Sequence, residues 1–103
     1  MQIQPIFIGF IAGVSFAKPD IELLSFNDNL HAIPEPTNEF DARAIRIVHP
    51  VAGKLGYIPR DATNALHIAW GHDLEVEIKI TDIIENSRGA KLLITATIDL
   101  DSF

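Results

Sequence analysis

A carboxylate, two aromatic rings and a set of cations fall close together in the middle of this sequence. Glu35-Pro-Thr-Asn-Glu-Phe-Asp41 supplies an amide, a phenyl ring and carboxylates, and Gly53-Lys-Leu-Gly-Tyr-Ile-Pro-Arg-Asp61 supplies an ammonium, a phenol and a guanidinium. From Ala42 to Arg60 the chain holds Arg43, Arg46, Lys54 and Arg60 and no acidic residue, whereas the rest sets the other four basic residues against all fourteen acidic ones. Charge segregated in this way gives one face suited to an anion and other faces that stay solvated. Cations pair with phosphates, rings stack on planar groups, and a carboxylate accepts a charge-assisted hydrogen bond from a hydroxyl while repelling an anion.

Each of these residues also has a purely architectural role open to it. Asn38 and Asp41 in a turn can cap their own backbone as Asx-turns do. Phe16 and Phe40 can belong to the core, and the hydroxyl of Tyr57 needs only water or one partner. Arg43 and Arg46 can be a solvated strand face, and Gly53 and Gly56 can serve a turn and a close backbone approach.

Composition narrows the classes. At 103 residues the sequence is expected to form one domain over 1–103. Its 48% hydrophobic and 21% charged content is that of a soluble globular protein. No cysteine occurs, which removes disulfides, thiolate nucleophiles and cysteine-based zinc sites and fits an intracellular protein. The apolar opening from Ile6 to Val14 has no preceding cation and is far shorter than the roughly 20 residues that cross a bilayer, so no membrane association is expected. His31, His49, His67 and His72 form no helical i, i+4 pair, so no metal is expected. No glycine-rich phosphate loop and no nucleophile motif is recognisable, so neither a cofactor nor an enzyme is expected. A formal net charge of −6 argues against broad, sequence-independent association with duplex DNA and leaves room for one compact site.

Positioning elements follow from periodicity. Ile6 to Phe16 reads as a strand, bent at Gly9 and Gly13. Pro19 to Ser25 can hold a helical turn capped by Asp20, and Asn27 to Asn29 a turn. Leu30 to Ile33 is a strand, Ala44 to His49 another, and Lys54 to Ile58 its hairpin partner after the turn at Pro50–Gly53. Asp61 to Trp70 reads as the one substantial helix, with Asp61 as cap and Gly71 as stop. Leu74 to Asp82 and Leu92 to Leu100 alternate cleanly and are joined through the hairpin Asn86–Gly89; the second could be an exposed edge that pairs with another copy. The fold class is therefore mainly β with one substantial helix, either a small OB-like six-stranded β-barrel or another small α+β sandwich.

The series Gly13-Val-Ser-Phe16, Glu35-Pro-Thr-Asn-Glu-Phe-Asp-Ala-Arg-Ala-Ile45 and Gly53-Lys-Leu-Gly-Tyr-Ile-Pro-Arg-Asp61 resembles the HIRAN domain, over about residues 8 to 70. The resemblance implies a modified OB-like barrel that recognises the 3′ end of single-stranded DNA, in DNA repair or processing. It places nucleic-acid contacts at Asn38, Phe40 and Asp41, with Asp41 gripping the 3′ hydroxyl, and at Tyr57 and Arg60. Ser15 and Phe16 fall where the DNA-end binders carry an Arg-Tyr pair, and the aromatic those members bring from a late loop has no counterpart in Glu85 to Lys91. On the residues' own chemistry, Phe16, Phe40 or Tyr57 could stack on bases, and Arg43, Lys54 and Arg60 could pair with phosphates. The expected partners are single-stranded DNA or DNA 3′ ends and a larger DNA-processing enzyme, with the protein a monomer or weak dimer. A second reading keeps the fold as a protein-interaction module that docks through the acidic surface around Asp73 to Glu85.

Overall fold

The computed structural model describes residues 2–102; Met1 and Phe103, the ends of the expected 1–103 domain, lie outside the described residues. Six strands form one antiparallel sheet: β1 (Ile3–Phe10), β2 (Asn29–Pro34), β3 (Ile45–His49), β4 (Gly53–Tyr57), β5 (Glu77–Asn86) and β6 (Gly89–Asp99). Their spatial order is β1-β6-β5-β2-β3-β4. The alternation read from sequence sets the inner face: Ile45, Ile47, Leu55, Ile78, Ile80, Leu92 and Ile94 are fully buried. Each such side chain contributes about 1.5–3 kcal/mol by leaving water. Helix α2 (Thr63–Gly71) lays Leu66 on the same core and follows directly on a 3-10 turn at Arg60–Ala62, while a one-turn α1 (Val14–Ala17) buries Val14.

The sheet does not close into a barrel. The expected strand Ile6 to Phe16 stops at Phe10, and the chain takes a left-handed turn at Gly13 into α1. Only Ala12 therefore reaches the far edge, where its N–H and carbonyl exchange hydrogen bonds of 2.8 Å with Tyr57 of β4. One residue earlier, the Ile11 N–H donates to the Leu92 carbonyl of β6 at 3.0 Å. Gly56 makes this crossing possible: at φ +150, a Cβ there would collide with the Ala12 carbonyl oxygen and stand 2.7 Å from Ile11.

Other boundaries differ for local reasons. The strand expected to be an edge, Leu92 to Leu100, lies inside β6 up to Asp99 and is paired on both sides, so the outermost strands are β1 and β4, the latter bridged at Tyr57 by Ala12. The strand expected over Leu74 to Asp82 begins only at Glu77 and runs on to Asn86, with a register shift between Ile80 and Asp82. Asp61 does not cap α2, because it sits inside the 3-10 turn and Ala62 takes the cap position. Asp20 does cap its short turn, accepting the Glu22 N–H at 3.1 Å. The hairpin at Asn86–Gly89 forms as read, with those two residues paired.

One buried polar residue fixes the β3–β4 turn. His49 Nδ1 accepts the N–H groups of Val51 and Ala52 at 3.0 Å each, so the ring proton sits on Nε2 and is donated to Asp28 Oδ2 at 2.8 Å. That bond, with a second from the Ser25 N–H, holds the Asp28 carboxyl below its usual range.

Candidate functional site

The loop from Glu35 to Ala44 is built by Asn38. Its Oδ1 accepts the Phe40 and Asp41 N–H groups at 2.9 and 3.0 Å, and its Nδ2 donates to Glu35 Oε1 at 3.0 Å. An Asx-type turn of this kind turns the polar side chain inward onto its own backbone and the following ring outward. Phe40 is accordingly 87% exposed, so it is not a core residue. Asp41 Oδ1 accepts the Arg43 N–H at 2.9 Å, which leaves Oδ2 facing Arg60 Nε at 3.5 Å. The pair is longer than a tight charge-assisted hydrogen bond, so Oδ2 keeps acceptor capacity.

Asn38, Phe40, Asp41, Tyr57 and Arg60 line one cavity of about 390 Å³, with Ala12 in its wall. Five of the nine residues singled out by sequence are thus brought together. Arg60 is 77% exposed at the rim. The other four lie elsewhere. Lys54 leans on Tyr57, its ammonium 4.5 Å from the ring centroid and 3.2 Å from the hydroxyl, so one face of that ring is already covered. Arg43 turns away to α2, donating to Asn64 Oδ1 at 2.6 Å. Phe16 stands 91% exposed on α1, again not in the core, and Ser15 borders a separate cleft toward the β5–β6 hairpin.

Glu35 is the residue that sequence reasoning quoted without assigning a role. Its Oε1 accepts both the Asn38 amide and the Tyr57 hydroxyl at 3.0 Å, and its Oε2 lies 3.5 Å from Arg46 Nε. These contacts, the Asn38 bond first, hold its carboxyl below the usual range against the opposing effect of burial. Arg46 Nε is buried with no hydrogen-bond partner, so the Glu35 carboxylate is what offsets its charge. Glu35 ties the Asn38 loop to the Tyr57 strand and so joins the two walls of the cavity. The signal available in sequence was the acidic residue three positions before Asn38.

Among the described residues no helix is long and apolar enough to cross a membrane, and no group of three or more His, Asp or Glu could hold a metal ion. No curated protein matches the chain. Two crystal structures share its fold. The HIRAN domain of human HLTF aligns over 96% of this chain and 82% of that one, with a TM-score of 0.69 and 14% identity. A protein from Lactobacillus plantarum aligns over 95% and 98%, with a TM-score of 0.71 and 16% identity. At such identities the likeness is one of fold. The model of the HIRAN domain matches residues 6–101 and so spans the Asx loop, the Gly56 crossing and both strands of the late hairpin: the chain belongs to the HIRAN domain family.

Proposed function

We propose that this HIRAN domain binds the end of a DNA single strand, with the terminal nucleotide in the Asp41 cavity. DNA binding is the property for which the family is known. The observation that carries the reading is the company Asp41 keeps: a carboxylate oxygen with spare acceptor capacity, an exposed ring and an exposed guanidinium around one cavity. In this reading a terminal 3′ hydroxyl donates to Asp41 Oδ2, and a phosphate in its place is repelled. Phe40 stacks on a base for about 1–3 kcal/mol. Arg60 swings from Asp41 to the nearest phosphodiester, which its exposure permits. Tyr57, fixed between Glu35 and Lys54, serves as a wall of the cavity.

Fluorescence anisotropy with two labelled oligonucleotides that differ only in ending with a 3′ hydroxyl or a 3′ phosphate tests this. Binding of the first with a loss of about tenfold or more on the second is expected, as is collapse of that preference in Asp41→Asn. Equal binding of both ends by the native protein sinks the end-recognition reading.

A further inference from the structure

Helix α2 holds the loop that carries Asp41. Asn64 and His67 stand three residues apart on one stripe of α2, while Leu66 and Ala69 turn into the core. Both reach Arg43. Asn64 Oδ1 accepts a guanidinium N–H of Arg43 at 2.6 Å, and His67 Nε2 donates to the Arg43 carbonyl at 2.9 Å, which puts a ring proton on that nitrogen. Trp70, one step further along the stripe, meets the His67 ring edge-on at 5.6 Å and packs against core residues, so the imidazole leans on a seated ring. The backbone N–H of Arg43 belongs to Asp41, donating to its Oδ1 at 2.9 Å. Arg43 thus joins α2 to one oxygen of the cavity carboxylate.

The same helix fixes the other side of the cavity. Arg60 lies in the 3-10 turn that leads into α2, and the buried Thr63 donates its hydroxyl to the Arg60 carbonyl at 3.0 Å. Residues 63–67 of α2 therefore anchor the backbones of both Arg43 and Arg60, and with them the 3.5 Å separation of Asp41 Oδ2 from Arg60 Nε. With Oδ1 committed to an N–H that cannot drift, the carboxylate has one orientation left, and Oδ2 is the oxygen it offers. Hydrogen bonds weaken steeply with misalignment, so the value of Oδ2 to a ligand depends on that orientation.

We propose that Arg43, Asn64 and His67 are positioning residues, a brace from α2 that aims Asp41 Oδ2 at the terminal hydroxyl and so sets the discrimination between strand ends. The inference rests on the end-binding reading and adds to it residues that govern its specificity without touching DNA. It also gives Arg43 a use other than phosphate contact, which its turn toward α2 requires.

The test is the double variant Asn64→Ala, His67→Phe, in which a phenyl ring keeps its place against Trp70 while the donor is lost. His67→Gln, whose amide can donate in place of Nε2, is the rescue. Two quantities are read. The first is exchange of the Arg43 amide hydrogen by NMR, relative to amides inside the sheet, which reports its bond to Asp41 Oδ1 with no DNA present. It is expected to quicken about tenfold in the double variant and to stay within about twofold of native in His67→Gln. The second is the ratio of affinities for the strands ending in a 3′ hydroxyl and a 3′ phosphate. This ratio is expected to drop to about threefold or less in the double variant, with affinity for the 3′-phosphate strand within about twofold of native. A double variant that keeps the native exchange, or one whose released Arg43 amide leaves the preference intact, overturns the brace. An equal loss of affinity for both strands overturns it as well. A native protein indifferent to the 3′ terminus overturns the end reading and the specificity role together; quickened Arg43 exchange then still supports the hold of α2 on Asp41, and unchanged exchange overturns that too.

Discussion

Replacing Gly56 by alanine tests whether the Ala12–Tyr57 crossing holds the site together. A Cβ at this position meets the Ala12 carbonyl oxygen and, at 2.7 Å, a methyl of Ile11, so the segment must retreat. Retreat breaks the two 2.8 Å hydrogen bonds that form the crossing, worth about 0.5–1.5 kcal/mol each. An L-residue forced to positive φ adds about 1–3 kcal/mol of strain. The expected loss is therefore about 3 kcal/mol, which for a domain of this size lowers Tm by roughly 10–25 °C. Gly53→Ala is the control. Gly53 has φ +79 with nothing within 4 Å of its missing Cβ, so that variant carries the backbone strain alone, about 1 kcal/mol. Urea unfolding followed by Trp70 fluorescence measures both. If Gly56→Ala costs no more than Gly53→Ala, the collision with Ala12 is relieved at no expense and the reasoning about the crossing is wrong.

Three further outcomes are expected. Glu35→Ala leaves the buried Arg46 Nε without its carboxylate and frees both Asn38 and Tyr57, costing about 1–3 kcal/mol in urea unfolding, with Glu35→Gln costing less because an acceptor remains. Phe40→Ala is expected to shift stability by less than about 0.5 kcal/mol, since the ring is exposed, and to weaken oligonucleotide binding by about 1–3 kcal/mol; a large loss of stability with unchanged binding contradicts its role. Asp28 and Glu35 have carboxyls lowered in the fold from ordinary values of 3.8 and 4.5, so the unfolded chain takes up their protons first as pH falls. Their stabilising effect is whole above those ordinary values and is lost as pH drops through the lower folded ones. A Tm that declines below about pH 4.5 in the native protein, and declines less in Asp28→Asn, is the expected result.

The parts of this structure that could be read from sequence are those governed by neighbours in the chain. Strict alternation put Ile78, Ile80, Leu92, Ile94 and Ala96 on the inner face, where all five are buried. The Asn86–Gly89 hairpin needed only its turn residues. The Asx turn at Asn38 was one of two roles open to that residue, and it places Phe40 and Asp41 at the cavity. Features set by distant segments were not legible. A run of apolar letters from Ile6 to Phe16 does not reveal that Gly13 turns left-handed and ends the strand's approach to β4, and with it any closure into a barrel. The same run does not show that Phe16 faces solvent while Val14 is buried. Strand order decides that β6 is interior, and strand order appears in no local pattern. Arg43 looked equivalent to Arg60, yet α2 brings Asn64 to it and withdraws it from the cavity. Glu35 gains its role only because β4 returns Tyr57 to a residue twenty-two positions earlier.

The free margin of the sheet at β1 carries no charge along its eight residues, a composition that invites another strand to zip on and grow. Pro5 offers no amide hydrogen, and the register of β1 slips between Pro5 and Phe7, so an incoming strand meets a break near the middle of its path. A single proline placed at an irregular step thus does the protective work that lysines do on other exposed margins. Substituting it would restore an amide hydrogen to this rim and leave the register slip as the remaining interruption.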